Sequence, residues 1–109
     1  MENNIKFLNR FANHLADEAR KISLFYFKKK IKINNKKKRD FDPVTVADIG
    51  VQKKINLLIN KQFPNHSILG EESSLIKNSE YEWCIDPIDG TKSYIQGVPL
   101  WGTLISLSK

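Results

Sequence analysis

Two aspartates stand three positions apart in the segment WCIDPIDGTKSYI at residues 83–95, where Asp86 and Asp89 enclose a Pro-Ile pair. Two further acidic residues, Asp48 and Glu71, fall at the ends of predicted elements. Carboxylates gathered at the ends of buried strands repel one another, and their pKa values rise unless a cation lies among them. Hard oxygen ligands of this kind suit Mg²⁺, which keeps several waters and adds phosphate oxygens from a substrate.

The residues around the two aspartates favour a turn with two functions. We expect Asp86 to end a strand and Pro87 to stiffen the turn, so that the Ile88 carbonyl and Asp89 face the same side as Asp86. The following Gly-Thr pair is typical of the start of a helical turn, where backbone N–H groups bind phosphate. The simpler interpretation is that Asp-Pro-x-Asp-Gly is only a turn sequence.

The elements that position these residues follow from hydrophobic spacing. Spacings of three and four predict a helix at about residues 3–27, with an apolar face of Ile5, Leu8, Ala12, Leu15, Ala19, Ile22 and Tyr26. A second helix is predicted at 45–62, with Thr45 as N-cap and Asp48 completing an approximate capping box. Its apolar face comprises Ala47, Val51, Ile55, Leu58 and Gln62, and Pro64 follows its end.

Two strands are predicted after the helices, and the first is expected to be buried. The first is WCI at 83–85, and the second is WGTLISL at 101–107, which is apolar on both faces. The polar residues then lie in a turn between the strands, and residues 28–42 form a solvated connection between the helices. The order helix, helix, strand, strand predicts an α/β layered fold.

Composition narrows the class of protein. The chain has 109 residues, enough for one domain, and no apolar run long enough to span a membrane. The N-terminus lacks the shape of a signal peptide, and the single cysteine, Cys84, allows no internal disulfide, so we expect a cytoplasmic protein.

The net charge of +6 is concentrated before residue 42, above all in KKKIKINNKKKR at 28–39. A basic module that binds nucleic acid is one hypothesis for this segment. No aromatic residue interrupts the run to stack on bases, and lysine is abundant in the chain as a whole. We therefore expect neither nucleic acid nor a membrane as partner.

Three segments in order resemble the inositol monophosphatase family of Mg²⁺-dependent, lithium-sensitive phosphatases. They are DPVTVAD at 42–48, ILGEES at 68–73 and WCIDPIDGT at 83–91, the last being the family's signature. The resemblance implies a layered α-β-α-β sugar-phosphatase-like fold. It also implies that Glu71, Asp86 and the Ile88 carbonyl hold one Mg²⁺, and that Asp86 and Asp89 contribute to a second.

The resemblance also assigns the reacting groups. Asp89 and the backbone N–H groups of Gly90 and Thr91 would bind the substrate phosphate. Asp48 and the Thr91 hydroxyl would form a pair that helps Glu71 and the metal ions activate a water. The implied substrate is a small phosphorylated metabolite, and a homodimer is one arrangement open to the full-length form.

Within the family, Lys92-Ser93-Tyr94 fits the histidinol-phosphate phosphatases of histidine biosynthesis best. The alternatives are an inositol-1-monophosphatase, a 3'(2'),5'-bisphosphate nucleotidase, or an inactive truncated remnant. Family members are more than twice as long, so residues 1–109 are expected to be the N-terminal part of one domain. A fragment, a truncated gene product and half of a split protein all fit, and we expect the 109 residues alone to be inactive.

Overall fold

The computed structural model describes residues 5–27, 33–35, 43–71, 73–97 and 102–108. Three helices, α1 (Ile5–Tyr26), α2 (Val46–Gln62) and α3 (Thr91–Gln96), accompany five strands. The strands are β1 (Ile33–Asn35), β2 (Pro43–Thr45), β3 (Ser67–Gly70), β4 (Glu82–Asp89) and β5 (Gly102–Ser108). The α/β layered arrangement predicted from the sequence is confirmed. None of the helices in the described ranges is long and apolar enough to cross a membrane.

Helix α2 begins where the sequence predicted. The Thr45 hydroxyl accepts hydrogen bonds from the N–H groups of Ala47 and Asp48, and Asp48 accepts one from the Thr45 N–H, which completes the capping box. These contacts satisfy N–H groups that have no partner within the helix. The predicted apolar face is wrong at its end, because Gln62 is exposed and Ile59 is buried instead.

The main sheet has the strand order β3-β4-β5, with β3 parallel and β5 antiparallel to the central strand β4. Helices α1 and α2 pack on one face, and their shared core consists of Leu15, Ala19, Val51, Ile55, Ile59, Ile68, Trp83 and Ile85. Side chains alternate between the two faces of a strand. Leu69 and Leu104 therefore lie on the opposite face, where both are about half exposed.

Two expectations about the strands are corrected. Strand β4 runs through Asp86 to Asp89 with an irregular register, so the predicted turn begins only at Gly90. The short strand β3 and the antiparallel pair β1-β2 were not predicted, and β1 lies within the expected connection at 28–42. Along strand β5, exposed positions alternate with half-buried ones. Trp101 and most of the basic run lie outside the described residues.

Candidate active site

Asp48 lies in the first turn of α2, and its side chain is almost completely buried. Its Oδ1 atom accepts hydrogen bonds from the backbone N–H of Thr45, at 2.9 Å, and from the Thr45 hydroxyl. A buried carboxylate needs such donors to offset the water it has lost. The cap therefore holds Oδ1, and Oδ2 is left to contact other groups.

The Oδ2 atom of Asp48 meets Thr91, the first residue of α3. The Thr91 hydroxyl lies 3.2 Å from Oδ2 and 2.9 Å from the backbone carbonyl oxygen of Ile88. A single hydroxyl proton can be donated to only one of these acceptors at a time. Gly90 has a φ of 87°, a conformation that favours glycine, and it turns the chain from β4 into α3.

Asp86 and Glu71 come together through the parallel pairing of β3 with β4. Gly70 is paired with Ile85, and the next backbone N–H, that of Glu71, donates to the Ile85 carbonyl at 3.1 Å. Glu71 therefore follows the carboxyl end of β3, and Asp86 lies in β4 just beyond the residue that pairs with Gly70. This is the edge of an α/β sheet at which ligands commonly bind.

The electrostatics of Asp86 record this crowding. Partial burial, the largest cause, together with the negative charges of Glu71, Asp89 and Asp48 and a side-chain hydrogen bond with Asp89, raises the pKa of Asp86 from an ordinary value of 3.8 to about 6. Asp89 itself is exposed. Negative charge therefore accumulates around Asp86 without enough positive charge to balance it.

The donor set fits a hard divalent cation. Glu71, Asp86, Asp89 and the Ile88 carbonyl offer only oxygen atoms, which are the ligands that Mg²⁺ prefers. No three acidic, histidine or cysteine side chains within the described ranges already surround a metal-sized point.

A cleft of about 660 Å³ opens beside these carboxylates. Gly70, Glu71 and Asp86 form its acidic end, and its remaining lining consists of Leu69, Cys84, Ile85, Leu104, Ile105 and Ser106. Much of this lining belongs to the sheet face that α1 and α2 leave uncovered. The arrangement places an acidic, oxygen-rich edge beside an open, largely apolar surface.

Two side chains near the site have roles that the sequence did not suggest. Gln52 follows Asp48 by four positions on α2, is 1% exposed, and lies against Gly70. A polar residue on the buried face of a helix was the signal available in the sequence. Tyr94, part of the segment that suggested a substrate, is also 1% exposed, and its hydroxyl donates to the Ser23 carbonyl at 2.6 Å. Tyr94 thus packs in the core.

Comparison with known proteins identifies the family of the chain. The model of the inositol monophosphatase family matches residues 4–109. The bifunctional phosphatase IMPL2 of Arabidopsis thaliana, a chloroplastic protein, is 42% identical over 106 residues, which cover 92% of this chain and 30% of that protein. A histidinol-phosphatase of Streptomyces coelicolor is 39% identical over 98 residues, covering 90% of this chain and 36% of the relative.

A solved structure agrees with the sequence relatives. The IMPase of Thermotoga maritima superposes with a TM-score of 0.83 at 28% identity, covering 96% of this chain and 40% of that one. The chain thus spans only 30–40% of the length of these three proteins. The family model, however, extends over nearly all of its residues, and the chain belongs to the inositol monophosphatase family.

Proposed function

We propose that the protein to which this chain belongs is a Mg²⁺-dependent phosphomonoesterase. The observation that carries the proposal is the half-buried carboxyl of Asp86, whose pKa is raised to about 6 by its burial first and then by the negative charges of Glu71, Asp89 and Asp48. In the proposed site, Glu71, Asp86 and the Ile88 carbonyl hold one Mg²⁺, and Asp86 with Asp89 contributes to a second. When bound, the metal ions supply neutralisation of the phosphoryl charge and lower the pKa of water.

The buried pair Asp48 and Thr91 would orient the attacking water and so help Glu71 to activate it. Asp48 Oδ2 lies within reach of the Thr91 hydroxyl, while Oδ1 is held by Thr45. When the Thr91 proton is donated to Asp48, a lone pair of the hydroxyl oxygen is left to accept a hydrogen bond from water. Glu71 would accept the water proton, and Asp89 with the N–H groups of Gly90 and Thr91 would orient the phosphate.

We further propose histidinol phosphate as the substrate. The histidinol-phosphatase of Streptomyces coelicolor supports this choice, as does the segment Lys92-Ser93-Tyr94. The buried position of Tyr94 weakens the second argument, because a core residue does not contact the substrate directly. The name of the Thermotoga maritima structure favours an inositol monophosphate as the second candidate.

Steady-state kinetics of the natural full-length protein tests both the proposed reaction and the proposed substrate. We expect phosphate release that requires Mg²⁺ and a larger kcat/KM for histidinol phosphate than for inositol monophosphates or adenosine bisphosphates. A clear preference for either alternative would overturn the substrate and leave the reaction standing. Absence of Mg²⁺-dependent release from all three classes, by a folded protein, would overturn the reaction itself.

A further inference from the structure

A row of polar side chains runs along the face of α2 that points to the site. Asp48, Gln52 and Asn56 are spaced by four residues, which places them on one side of a helix. The Gln52 Nε2 atom donates to Asn56 Oδ1 at 2.8 Å. The Asn56 Nδ2 atom in turn donates to the hydroxyl of Ser73 at 2.9 Å, which joins α2 to the segment after β3.

The Gln52 amide also packs directly on the backbone that leads to Glu71. A Cβ atom added at Gly70 would overlap both amide atoms of Gln52 and the backbone carbonyl oxygen of Ser73. Gly70 donates its N–H to the Ser74 hydroxyl at 3.1 Å, and Glu71 donates its N–H to the Ile85 carbonyl at 3.1 Å. The turn at Gly70 and Glu71 is thus held by β4 on one side and by Gln52 on the other.

Stability alone does not explain an amide at this position. The Oε1 atom of Gln52 is buried and has no hydrogen-bond partner among the described residues. A buried, unsatisfied acceptor forfeits its hydration, whereas an apolar side chain of similar size carries no such penalty. A leucine would fill the same space at lower cost. We therefore expect the amide to contribute by holding neighbouring backbone in position rather than by its own burial.

We propose that Gln52 is a positioning residue that holds the Gly70 turn so that the Glu71 carboxylate faces Asp86, and that it thereby strengthens Mg²⁺ binding. The part of this inference that concerns Mg²⁺ binding rests on the proposed function, in which Glu71 is a metal ligand. The part that concerns the position of Glu71 does not, because the contacts of Gln52 with Gly70 and Asn56 are present whatever the site binds.

The test uses Gln52→Leu, with Gln52→Met as a second, unbranched variant, in the natural full-length protein. We expect the affinity for Mg²⁺, measured by titration calorimetry, to fall by about tenfold, as for other partners that orient metal ligands. We expect amide hydrogen exchange at Glu71 to accelerate, because its bond to Ile85 loses the support of Gln52. The melting temperature of the metal-free protein should change little, because the removal of the unsatisfied Oε1 atom offsets the loss of the hydrogen bond to Asn56.

Gln62→Leu is the matched control, since Gln62 is an exposed residue at the end of the same helix. It should change neither Mg²⁺ affinity nor exchange at Glu71. Unchanged exchange at Glu71 in both Gln52 variants would overturn the inference, and so would a loss of metal affinity that merely follows a lower melting temperature. Glu71→Gln separates the proposals: if it leaves Mg²⁺ affinity intact, the proposed function fails, while accelerated exchange in Gln52→Leu still supports the positioning role.

Discussion

The Thr91 hydroxyl lies 3.2 Å from the Asp48 carboxylate, although 43 positions separate the two residues in the chain. Asp48 is held at the start of α2 by the Thr45 cap, and Thr91 is held at the start of α3 by the turn at Gly90. Two helix starts are thereby brought together beside the end of β4. Each partner is thus held in place by its own element.

Thr91→Ala tests this pair. In the full-length protein we expect kcat to fall by about 100- to 10,000-fold, the usual range for general acid–base catalysis, because Glu71 would lose the group that orients its water, while KM changes little. The backbone N–H groups proposed to bind phosphate remain in place, so substrate binding should survive. Thr91→Ser keeps the hydroxyl and should retain most of the activity. A Thr91→Ala protein that turns over at the parent rate would remove Thr91 from the mechanism.

Asp86→Asn should be the more damaging change, because Asp86 is the side chain proposed to contact both metal ions. We expect Mg²⁺-dependent phosphate release to be almost abolished, with the circular dichroism spectrum unchanged. Asp17→Asn provides the control, since Asp17 forms an exposed ion pair with Arg20 far along α1. Activity of Asp86→Asn close to that of the parent would refute the assignment of Asp86.

The raised pKa of Asp86 also predicts a pH dependence of stability. In the folded, metal-free protein this carboxyl retains its proton up to about pH 6, whereas the unfolded chain releases it near 3.8. Stability from this group is therefore present below pH 3.8 and is lost as the pH rises to about 6. We expect Asp86→Asn to melt at a higher temperature than the parent above pH 6, without metal.

Added Mg²⁺ should reverse this trend, because the cation competes with the proton for the same carboxylate. The increase in melting temperature caused by Mg²⁺ should be small below pH 6 and should grow as the pH rises through that value. Thermal melts of parent and Asp86→Asn, with and without Mg²⁺, measure both effects. A stabilisation by Mg²⁺ that is independent of pH would contradict the proposed role of Asp86.

The sequence predicted those features that depend on local chemistry. The capping box at Thr45 and Asp48 requires only two residues three positions apart, and the regular apolar spacing of residues 5–26 indicates α1. Strand β3 was not predicted, because its four residues are too few to show a clear periodicity. Its parallel pairing with β4 also joins segments that are distant in sequence. The sequence did not predict that β4 continues through Pro87, because proline is rare in the interior of a strand.

The candidate site divides in the same way. Asp86 and Asp89 stand out because carboxylates interrupt an apolar run, but the approach of Thr91 to Asp48 could be expected only from the family resemblance. Gln52 was overlooked because its contact with Gly70 depends on how α2 crosses β3, which no local pattern specifies.

Tyr94 is expected to matter for stability rather than for the choice of substrate. Tyr94→Phe removes the hydrogen bond to the Ser23 carbonyl and leaves that acceptor buried, so the free energy of unfolding should fall by roughly 1–3 kcal/mol. The order of kcat/KM values among histidinol phosphate, inositol monophosphates and adenosine bisphosphates should not change. Denaturant unfolding and the substrate panel measure the two quantities. A reordered panel at unchanged stability would show that Tyr94 acts on the substrate.

The uncovered face of the main sheet determines how residues 1–109 should behave when expressed alone. Leu69 is 48% exposed and Leu104 is 55% exposed, and both line the open cleft beside the carboxylates. An apolar side chain left in water forgoes roughly 1.5–3 kcal/mol of burial, which is a large share of the about 5–15 kcal/mol that stabilises an ordinary domain. An open apolar sheet face also invites association between copies.

We therefore expect the isolated polypeptide of residues 1–109 to aggregate, or to melt over a broad range without a cooperative transition. It should also lack Mg²⁺-dependent phosphatase activity, because Asp86 and Asp89 are the only ligands proposed for the second metal ion, and two carboxylates with water bind Mg²⁺ weakly. Size-exclusion chromatography, calorimetry and phosphate release measure the three properties. Leu69→Thr with Leu104→Thr should reduce aggregation without restoring activity, since both positions lie on the open face and outside the core shared by α1 and α2. A soluble monomer of the unaltered polypeptide, with a sharp melt and measurable turnover, would show that this part of the fold needs no cover on that face.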